Sequence, residues 1–402
     1  MKRGGAYTAG PMTSIATTLI HHPYRPPDGF DAPQPAVHKA STVIFPNMAA
    51  MRVRDWKQRT GYTYGLHGTP TTFTLEQRIA ALEGGLHTLL LPSGLAAITL
   101  VDTALLSAGD EVLIPENAYG PGKDLARRML ARWGIAHRFY DPAEPAALQA
   151  MLTPASKLVW VEAAGSVTME FPDLPGLVRA ARSGGALVVL DNTWGAGLAF
   201  DPFDFDGGLA VDLSVHALTK YPSGGGDVLM GSVTTRDDAL HAKLNAAHMY
   251  MGWGIGGNDA ELLLRSLPSI ALRYAAQDRA ARALAQWWTE RDEVLQVLHP
   301  ALPGSPGHEH WSRLCSQAAG LFSVVFDERY SSAQVDAFVD ALALYKIGSS
   351  WGGPVSLVVA YDLASMRQRP DWKGTLVRFS VGLESVDDLT ADAEQALAAL
   401  SR

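Results

Sequence analysis

The sequence predicts an α/β fold, in which helices cover both faces of a mostly parallel sheet and a smaller α+β domain follows. From residue 73 to residue 217, short apolar runs alternate with segments whose apolar residues recur at helical spacing. Strands that alternate with helices in this way usually pair in parallel and are buried on both sides. The run Ala-Leu-Val-Val-Leu at 186–190 fits such a strand, because it has no polar face.

The elements of the large sheet follow this alternation. A helix begins near Phe73 and ends at Gly84-Gly85, since glycine favours helix termination. Strands are predicted at 88–91, 111–114, 157–162, 186–190 and 212–217, and the helices between them at 95–106, 122–133 and 174–182. Beyond Gly231 the strand signal fades, so no further strand of this sheet is predicted there.

The C-terminal third has a different pattern. A long helix at 271–298 is predicted to bridge to a second domain. Strands at 321–326, 356–360 and 375–381 and helices at 332–342 and 386–400 then indicate a smaller sheet with helices on one face. We therefore expect an N-terminal arm at 1–70, a large domain at 71–268 and a C-terminal domain at 269–402.

The predicted arm is rich in Pro, Gly and His and shows little periodicity. Its prolines favour extended chain, notably those at 23, 26, 27, 33 and 35. An arm of a compact protein usually packs on something, and a neighbouring subunit is one candidate. A frayed tail is the alternative.

Composition excludes several classes of protein. The chain has 402 residues, with 33 Lys and Arg against 41 Asp and Glu, and the net charge of −8 argues against nucleic acid or an anionic membrane surface as the main partner. Cys315 is the only cysteine, which excludes an internal disulfide and a multi-cysteine zinc site. The most apolar window, 89–106, is interrupted by Pro92, Gly94 and Asp102, so it does not predict a membrane span. With no apolar stretch typical of a signal peptide near residue 2, we expect a cytoplasmic protein.

Lys220 is the first candidate for chemistry. It lies in the segment HALTKY at 216–221, at the end of a predicted strand and before a glycine-rich loop at 223–226. An amine at a strand end, beside small residues that let a flat ligand approach, suits Schiff-base formation. The alternative is an ordinary solvent-exposed lysine.

Two further features point to the same cofactor. Asp191 follows the apolar strand at 186–190, at the strand end where α/β proteins bind ligands. A pyridinium nitrogen needs such an anion to stay protonated. The alternative is an Asp that only caps the next turn. The turn Pro92-Ser93-Gly94 leads into a helix whose first amides are unpaired donors that suit a phosphate. Together the three features predict a site for pyridoxal 5′-phosphate (PLP).

The chain resembles the Cys/Met-metabolism PLP-dependent enzymes and, within them, the cystathionine β-lyases, from about residue 37 to residue 400. The matching motifs are the segments at 40–43, 64–65, 68–71, 82–85, 92–94, 117–119, 162–166, 169–170, 191–194, 219–221, 350–353, 378 and 382–384. The resemblance implies fold type I, with a mostly parallel seven-stranded sheet in a PLP-binding domain at 71–268. It also implies a homotetramer built as a dimer of dimers.

The same resemblance implies a role for individual residues. Lys220 would carry the cofactor as a Schiff base, and Asp191 would pair with its ring nitrogen. The cofactor phosphate would be bound by the amides of Gly94 and Leu95, the hydroxyl of Thr219 and Tyr64 from a neighbouring subunit. Tyr119 would stack on the cofactor ring and assist catalysis. The amino-acid substrate would be bound by Arg378 through its carboxylate, with Ser350 and Trp351 lining its pocket.

The chain departs from the family at three places. The Arg commonly found two residues after Tyr64 is Leu66, so we expect a substitute cation for the phosphate, with His67 and Arg59 as candidates. The glycine-rich loop at 224–227 and the segment Ala163-Ala164-Gly165 also differ from the usual family sequences. These differences concern phosphate and loop contacts rather than the lysine.

The implied activity is PLP-dependent β-elimination, which converts L-cystathionine and water to L-homocysteine, pyruvate and ammonia in methionine biosynthesis. Sister activities remain open: cystathionine γ-lyase, γ-synthase, sulfhydrylase, or cysteine and cystine β-lyase. Trp351 favours the β-lyase, since γ-acting relatives often have a smaller residue there. A PLP-binding regulator that acts through a partner is a different class. An NAD-binding protein is disfavoured, because no Gly-x-Gly-x-x-Gly follows the first strand.

Overall fold

The computed structural model describes residues 14–21, 28–29, 32–57, 59, 61–205, 207–362 and 374–401. Much of the predicted arm, including the prolines at 23, 26 and 27, lies outside these residues. Of the helices described here, none combines the length and apolarity that crossing a membrane requires.

The large sheet has seven strands in the order β1-β7-β6-β5-β4-β2-β3. Strands β2 to β6 pair in parallel, and β7 runs antiparallel between β6 and β1. The seven-stranded, mostly parallel sheet expected from the resemblance is therefore confirmed. The strands are β1 (His87–Leu91), β2 (Glu111–Pro115), β3 (Ala136–Tyr140), β4 (Ser156–Glu162), β5 (Leu187–Asp191), β6 (Leu213–His216) and β7 (Gly231–Thr235).

Helices cover both faces of this sheet, as a parallel sheet requires. One face packs on Leu75 and Leu177, and the other packs on Leu100 and Leu244. A short helix that carries the buried Leu19 lies against the first of these layers. The helices up to this point are α1 (Ile15–Ile20), α2 (Met48–Arg52), α3 (Pro70–Glu83), α4 (Gly94–Leu105), α5 (Gly120–Arg128), α6 (Pro145–Met151), α7 (Leu174–Ser183), α8 (Asp238–Met251) and α9 (Gly257–Ser266).

The second sheet has five strands in the order β10-β11-β12-β9-β8 and its own core around Trp288, which is fully buried. All its pairs are antiparallel except β10 with β11. Its strands are β8 (Val294–Leu298), β9 (Leu321–Phe326), β10 (Lys346–Ile347), β11 (Leu357–Tyr361) and β12 (Leu376–Ser380). The helices are α10 (Ile270–Trp288), α11 (His308–Leu314), α12 (Ser332–Ala341) and α13 (Val386–Leu397).

Two sequence expectations are wrong. The helix predicted at 271–298 ends at Trp288, and Val294–Leu298 is strand β8, paired with β9. The segment after Gly231 is also a strand, β7, and every residue of Gly231–Thr235 is buried. Its hydroxyl residues bond inside the sheet, as in the contact of Thr234 Oγ1 with Thr88 Oγ1 at 2.8 Å, so the strand lacks an apolar signature.

Candidate active site

A pocket of about 480 Å³ opens where the two sheets meet, at the carboxyl ends of β4 and β5. Parallel sheets commonly bind ligands at this edge. The pocket is lined by eight of the residues selected from the sequence: Gly94, Leu95, Tyr119, Asp191, Thr219, Lys220, Trp351 and Arg378.

Lys220 lies just beyond β6, and its amine faces the C-terminal domain. Lys220 Nζ donates a hydrogen bond to Ser350 Oγ at 2.8 Å and lies 5.4 Å from the centre of the Trp351 ring. Burial, and then the nearby Arg378 cation, lower the pKa of Lys220 to about 8, while Asp191 acts in the opposite direction. About a tenth of this amine is therefore neutral at pH 7, far more than of an ordinary lysine, and the neutral form suits nucleophilic and basic roles.

Gly352 explains how the loop with Ser350 and Trp351 comes so close to Lys220. Its φ is +79°, and a Cβ added there would lie 2.8 Å from Tyr221 N and 3.0 Å from Lys220 C. Only glycine meets both demands without displacing backbone. The loop at 350–353 therefore packs directly against the backbone of Lys220 and Tyr221.

Asp191 is held in place by the turn that follows it. Its Oδ1 accepts hydrogen bonds from Thr193 N at 3.0 Å and Thr193 Oγ1 at 2.5 Å. Thr193 Oγ1 in turn accepts from Ala217 N at 2.9 Å, which connects Asp191 to the strand end before Lys220. Burial raises the pKa of Asp191 in spite of these bonds, so a cationic partner in the pocket would stabilise its ionised form.

The turn before α4 forms a concave end of the pocket. Ser93 caps the helix, since its hydroxyl accepts from Ala96 N at 3.0 Å. The Gly94 and Leu95 amides lie in the first turn of the helix and have no intrahelical acceptors. A Cβ on Gly94 would lie 2.7 Å from Ala217 Cβ, so glycine lets the turn approach the lysine segment. Thr219 lies here too, but its hydroxyl exchanges hydrogen bonds with Met230 N at 3.0 Å and Met230 O at 3.2 Å.

One cationic side chain, Arg378, and one aromatic side chain, Tyr119, complete the pocket. Arg378 is 6 % exposed, and its guanidinium carbon lies 5.4 Å from the centre of the Tyr361 ring. Tyr119 is 42 % exposed, and burial together with the Asp191 and Glu162 carboxylates raises the pKa of its phenol. Because its pKa is raised, the Tyr119 hydroxyl stays protonated at neutral pH and can donate a hydrogen bond.

Sequence reasoning assigned no role to Glu162 or Tyr361, although both line the pocket. Glu162 ends β4 as Asp191 ends β5, and the position at a strand end was the available signal. Tyr361 ends β11 and pairs with Leu376, two residues before Arg378 on the neighbouring strand, and nothing in its local sequence predicts its contact with Arg378.

The arm residues lie apart from this pocket. Tyr64 is 45 % exposed and does not line it. Arg59 is paired with Glu76 and bonds Asn245 Oδ1 at 3.3 Å, and His67 Nδ1 contacts Thr63 Oγ1 at 2.7 Å. The expected substitute cation is thus not placed in this chain's own pocket and remains a prediction about a neighbouring subunit.

Comparisons with known proteins agree with the geometry. The Cys/Met metabolism PLP-dependent enzyme family matches residues 16–398. A putative cystathionine beta-lyase of Rhizobium johnstonii is 40% identical over 393 residues, which cover 96% of each chain, and cystathionine beta-lyase MetC of Escherichia coli K12 is 34% identical over 90% of this chain and 92% of its own. A crystal structure of cystathionine gamma-lyase from Lactobacillus plantarum, complexed with L-serine, is 26% identical and covers 97% of this chain and 100% of its own, with a TM-score of 0.88.

Proposed function

We propose that this chain, which belongs to the Cys/Met metabolism PLP-dependent enzyme family, catalyses β-elimination of L-cystathionine, which with one water molecule gives L-homocysteine, pyruvate and ammonia. Its cofactor is PLP. The observation that carries the proposal is the convergence of Lys220, Asp191 and Arg378 on one pocket, in a chain whose relatives include named cystathionine β-lyases. The product homocysteine suits a step in methionine biosynthesis.

The residues of the pocket fit PLP. Lys220 offers a partly neutral amine, Asp191 offers a carboxylate, and the start of α4 offers unpaired amides at a turn where a Cβ on Gly94 would not fit. The cations that line the described pocket are Lys220 and Arg378, so a phosphate would rely on the amides and the helix dipole unless a neighbouring subunit adds a charge. When bound, PLP supplies an electron sink that stabilises negative charge at the substrate α-carbon.

Arg378 is proposed to bind the substrate carboxylate. Its guanidinium is buried, burial lowers its pKa, and no salt bridge joins it to an acidic side chain within the described part of the chain. A carboxylate that enters the pocket would provide an anion and accept two parallel hydrogen bonds. This contact would place the substrate α-carbon on the side of the pocket that holds Lys220.

Lys220 is proposed to move the proton of that α-carbon. Ser350 Oγ accepts a hydrogen bond from Nζ, so this hydroxyl can direct the amine while it is neutral. Removal of the α-proton leaves negative charge, which expels the sulfur on the β-carbon as homocysteine. Asp191 would support the process with its anionic charge in the same pocket, where Thr193 donates two hydrogen bonds to it.

The position of Trp351 favours β- over γ-elimination. Its ring contacts both the Lys220 amine and the Tyr221 ring, with a 5.5 Å separation between the ring centres of Tyr221 and Trp351. A large fixed ring beside the reacting amine restricts how a thioether chain can lie.

Product analysis tests the proposal. The purified PLP-loaded protein should release pyruvate and a free thiol from L-cystathionine, and Lys220→Ala should release neither. Formation of 2-oxobutanoate with cysteine would assign the protein to γ-elimination instead. Absence of turnover, with PLP bound, would favour a regulatory protein that retains the cofactor.

A further inference from the structure

Glu162 is a pocket carboxylate to which the proposed reaction gives no part. It ends β4 and pairs in parallel register with Asp191 at the end of β5. Burial and the neighbouring Asp191 raise the pKa of Glu162 well above its ordinary value. Burying a second carboxylate beside Asp191 costs free energy unless its oxygens accept hydrogen bonds.

Its oxygens face two backbone amides, those of Tyr119 and Ser166. Tyr119 N donates to Glu162 Oε2 at 2.8 Å, at the residue that precedes α5. The Tyr119 side chain does not cap this helix, so Glu162 supplies an acceptor to the chain where α5 begins. One turn later Lys123 Nζ donates to Glu116 O at 2.6 Å, which holds the other side of the same segment.

Tyr119 also borders a second, smaller cavity. This cavity has a volume of about 20 Å³ and is lined by Tyr119, Asp102, Lys123, Glu162 and Asp191. A volume of this size holds about one water molecule. Tyr119 therefore lines both this small cavity and the site pocket, so part of its surface is free of packed neighbours.

We infer that Glu162 is a positioning residue for Tyr119: by accepting the Tyr119 amide proton from the strand beside Asp191, it sets the spacing between the Tyr119 ring and Asp191. The two residues enclose the part of the pocket where PLP is proposed to lie. Glu162, which holds the Tyr119 amide, ends β4, and Asp191 ends β5. These two strands are hydrogen-bonded neighbours, so the distance between the two residues is fixed by the sheet. Loss of the acceptor lets the start of α5 move away from the sheet.

A double-mutant cycle tests the inference through the dissociation constant of PLP, measured by equilibrium dialysis. The cycle compares the parent chain, Glu162→Met, Tyr119→Ala and the double variant. Glu162→Met has nearly the same volume without an acceptor, and it is combined with Tyr119→Ala. We expect Glu162→Met to weaken PLP binding about tenfold when Tyr119 is present and less than about twofold when it is absent. Glu162→Gln keeps an oxygen acceptor at nearly the same volume, so its affinity should stay within about threefold of the parent chain.

Two further measurements separate position from general damage. Asp102→Asn is the matched control, because Asp102 lines the same small cavity but bonds Trp160 Nε1 at 2.9 Å. It should leave PLP affinity unchanged. The visible circular dichroism of bound PLP should change in Glu162→Met and not in Glu162→Gln, since it reports the orientation of the ring.

The inference rests on the proposed stacking of Tyr119, and the cycle distinguishes the two. Equal weakening by Glu162→Met in both backgrounds contradicts the positioning role alone. An unchanged affinity in Tyr119→Ala contradicts the stacking and the positioning together. If Glu162→Met does not fold, a loss of affinity in Glu162→Gln equal to that of Tyr119→Ala overturns the inference, because the acceptor is still present.

Discussion

In the proposed reaction the Lys220 amine must be neutral both to capture PLP and to accept a proton. Its pKa of about 8 in the cofactor-free chain predicts that covalent capture of PLP accelerates as pH rises through about 8. The rate of PLP capture rises with pH because only the neutral amine reacts. Burial and Arg378 lower the pKa of Lys220, so the neutral form becomes populated at a lower pH than in an ordinary lysine. Stopped-flow absorbance of PLP mixed with the cofactor-free protein measures the rate, and Lys220→Ala is the control for non-specific capture. A rate that keeps rising to about pH 10.4, the range of an unperturbed lysine, would contradict the assignment.

Arg378 should affect substrate binding more than turnover. Arg378→Lys replaces a two-point contact with a single ammonium, so we expect the Michaelis constant for cystathionine to rise about tenfold or more while kcat changes less. Steady-state kinetics measures both constants. Arg138→Lys is a control at a salt bridge outside the pocket, where Arg138 Nε lies 2.6 Å from Glu111 Oε1. A loss confined to kcat would place the substrate carboxylate elsewhere.

Among the elements, the loop at 350–353 depends on one glycine for its contact with Lys220. Gly352→Ala forces a Cβ into the backbone of Lys220 and Tyr221 at a positive φ, so the loop must move away from the amine. We expect kcat to fall about tenfold or more and the melting temperature to drop, because strain at such a φ costs on the order of 1–3 kcal/mol. Steady-state kinetics and a thermal melt measure the two effects.

Gly353→Ala is the matched control for that loop. A Cβ at Gly353 meets its nearest atom, Gly226 N, at 3.7 Å, which is ordinary contact. Kinetic constants within about threefold of the parent chain are expected for this variant. Equal damage from the two substitutions would show that the loop tolerates no change and would remove the specific role of Gly352.

The sequence predicts those elements whose burial is uniform along the strand. Ala-Leu-Val-Val-Leu before Asp191 is apolar because β5 is covered on both faces, so its end and the site carboxylate could be located in advance. β7 could not, since Ser232 and Thr234 are buried as hydroxyls within the sheet. The end of α10 was missed because Leu295 and Leu298 continue an apolar spacing that suits a helix, while β8 forms through pairing with β9.

The same contrast holds within the site. Lys220, Asp191 and Gly94 belong to local patterns of strand, turn and helix, so they could be selected from the sequence. The contacts of Ser350 with Lys220 and of Tyr361 with Arg378 join segments by tertiary packing, and the resemblance indicated only that Ser350 lines the substrate pocket. The amide contact of Glu162 with Tyr119 spans 43 residues and leaves no local signature.

At the scale of the whole molecule, the arm is predicted to complete a neighbour's site. Tyr64 is exposed and lies apart from the pocket of its own chain, although Ser41 Oγ donates to its hydroxyl at 3.4 Å. Mixing inactive Tyr64→Phe and Lys220→Ala subunits should restore some activity, because a mixed dimer contains one site with both residues intact. Mass spectrometry of the assembly provides the check that subunits exchange. Complete exchange without recovered activity would show that each site is built within one chain.

The most direct test of the proposed reaction is the fate of L-cystathionine labelled with ¹³C in its three-carbon half. β-Elimination sends the label into pyruvate and leaves homocysteine unlabelled, because the bond between sulfur and the β-carbon breaks. We predict labelled pyruvate and unlabelled homocysteine from the PLP-loaded protein, and neither product from Lys220→Ala. Labelled cysteine with unlabelled 2-oxobutanoate would contradict the proposal, since it requires cleavage on the other side of the sulfur.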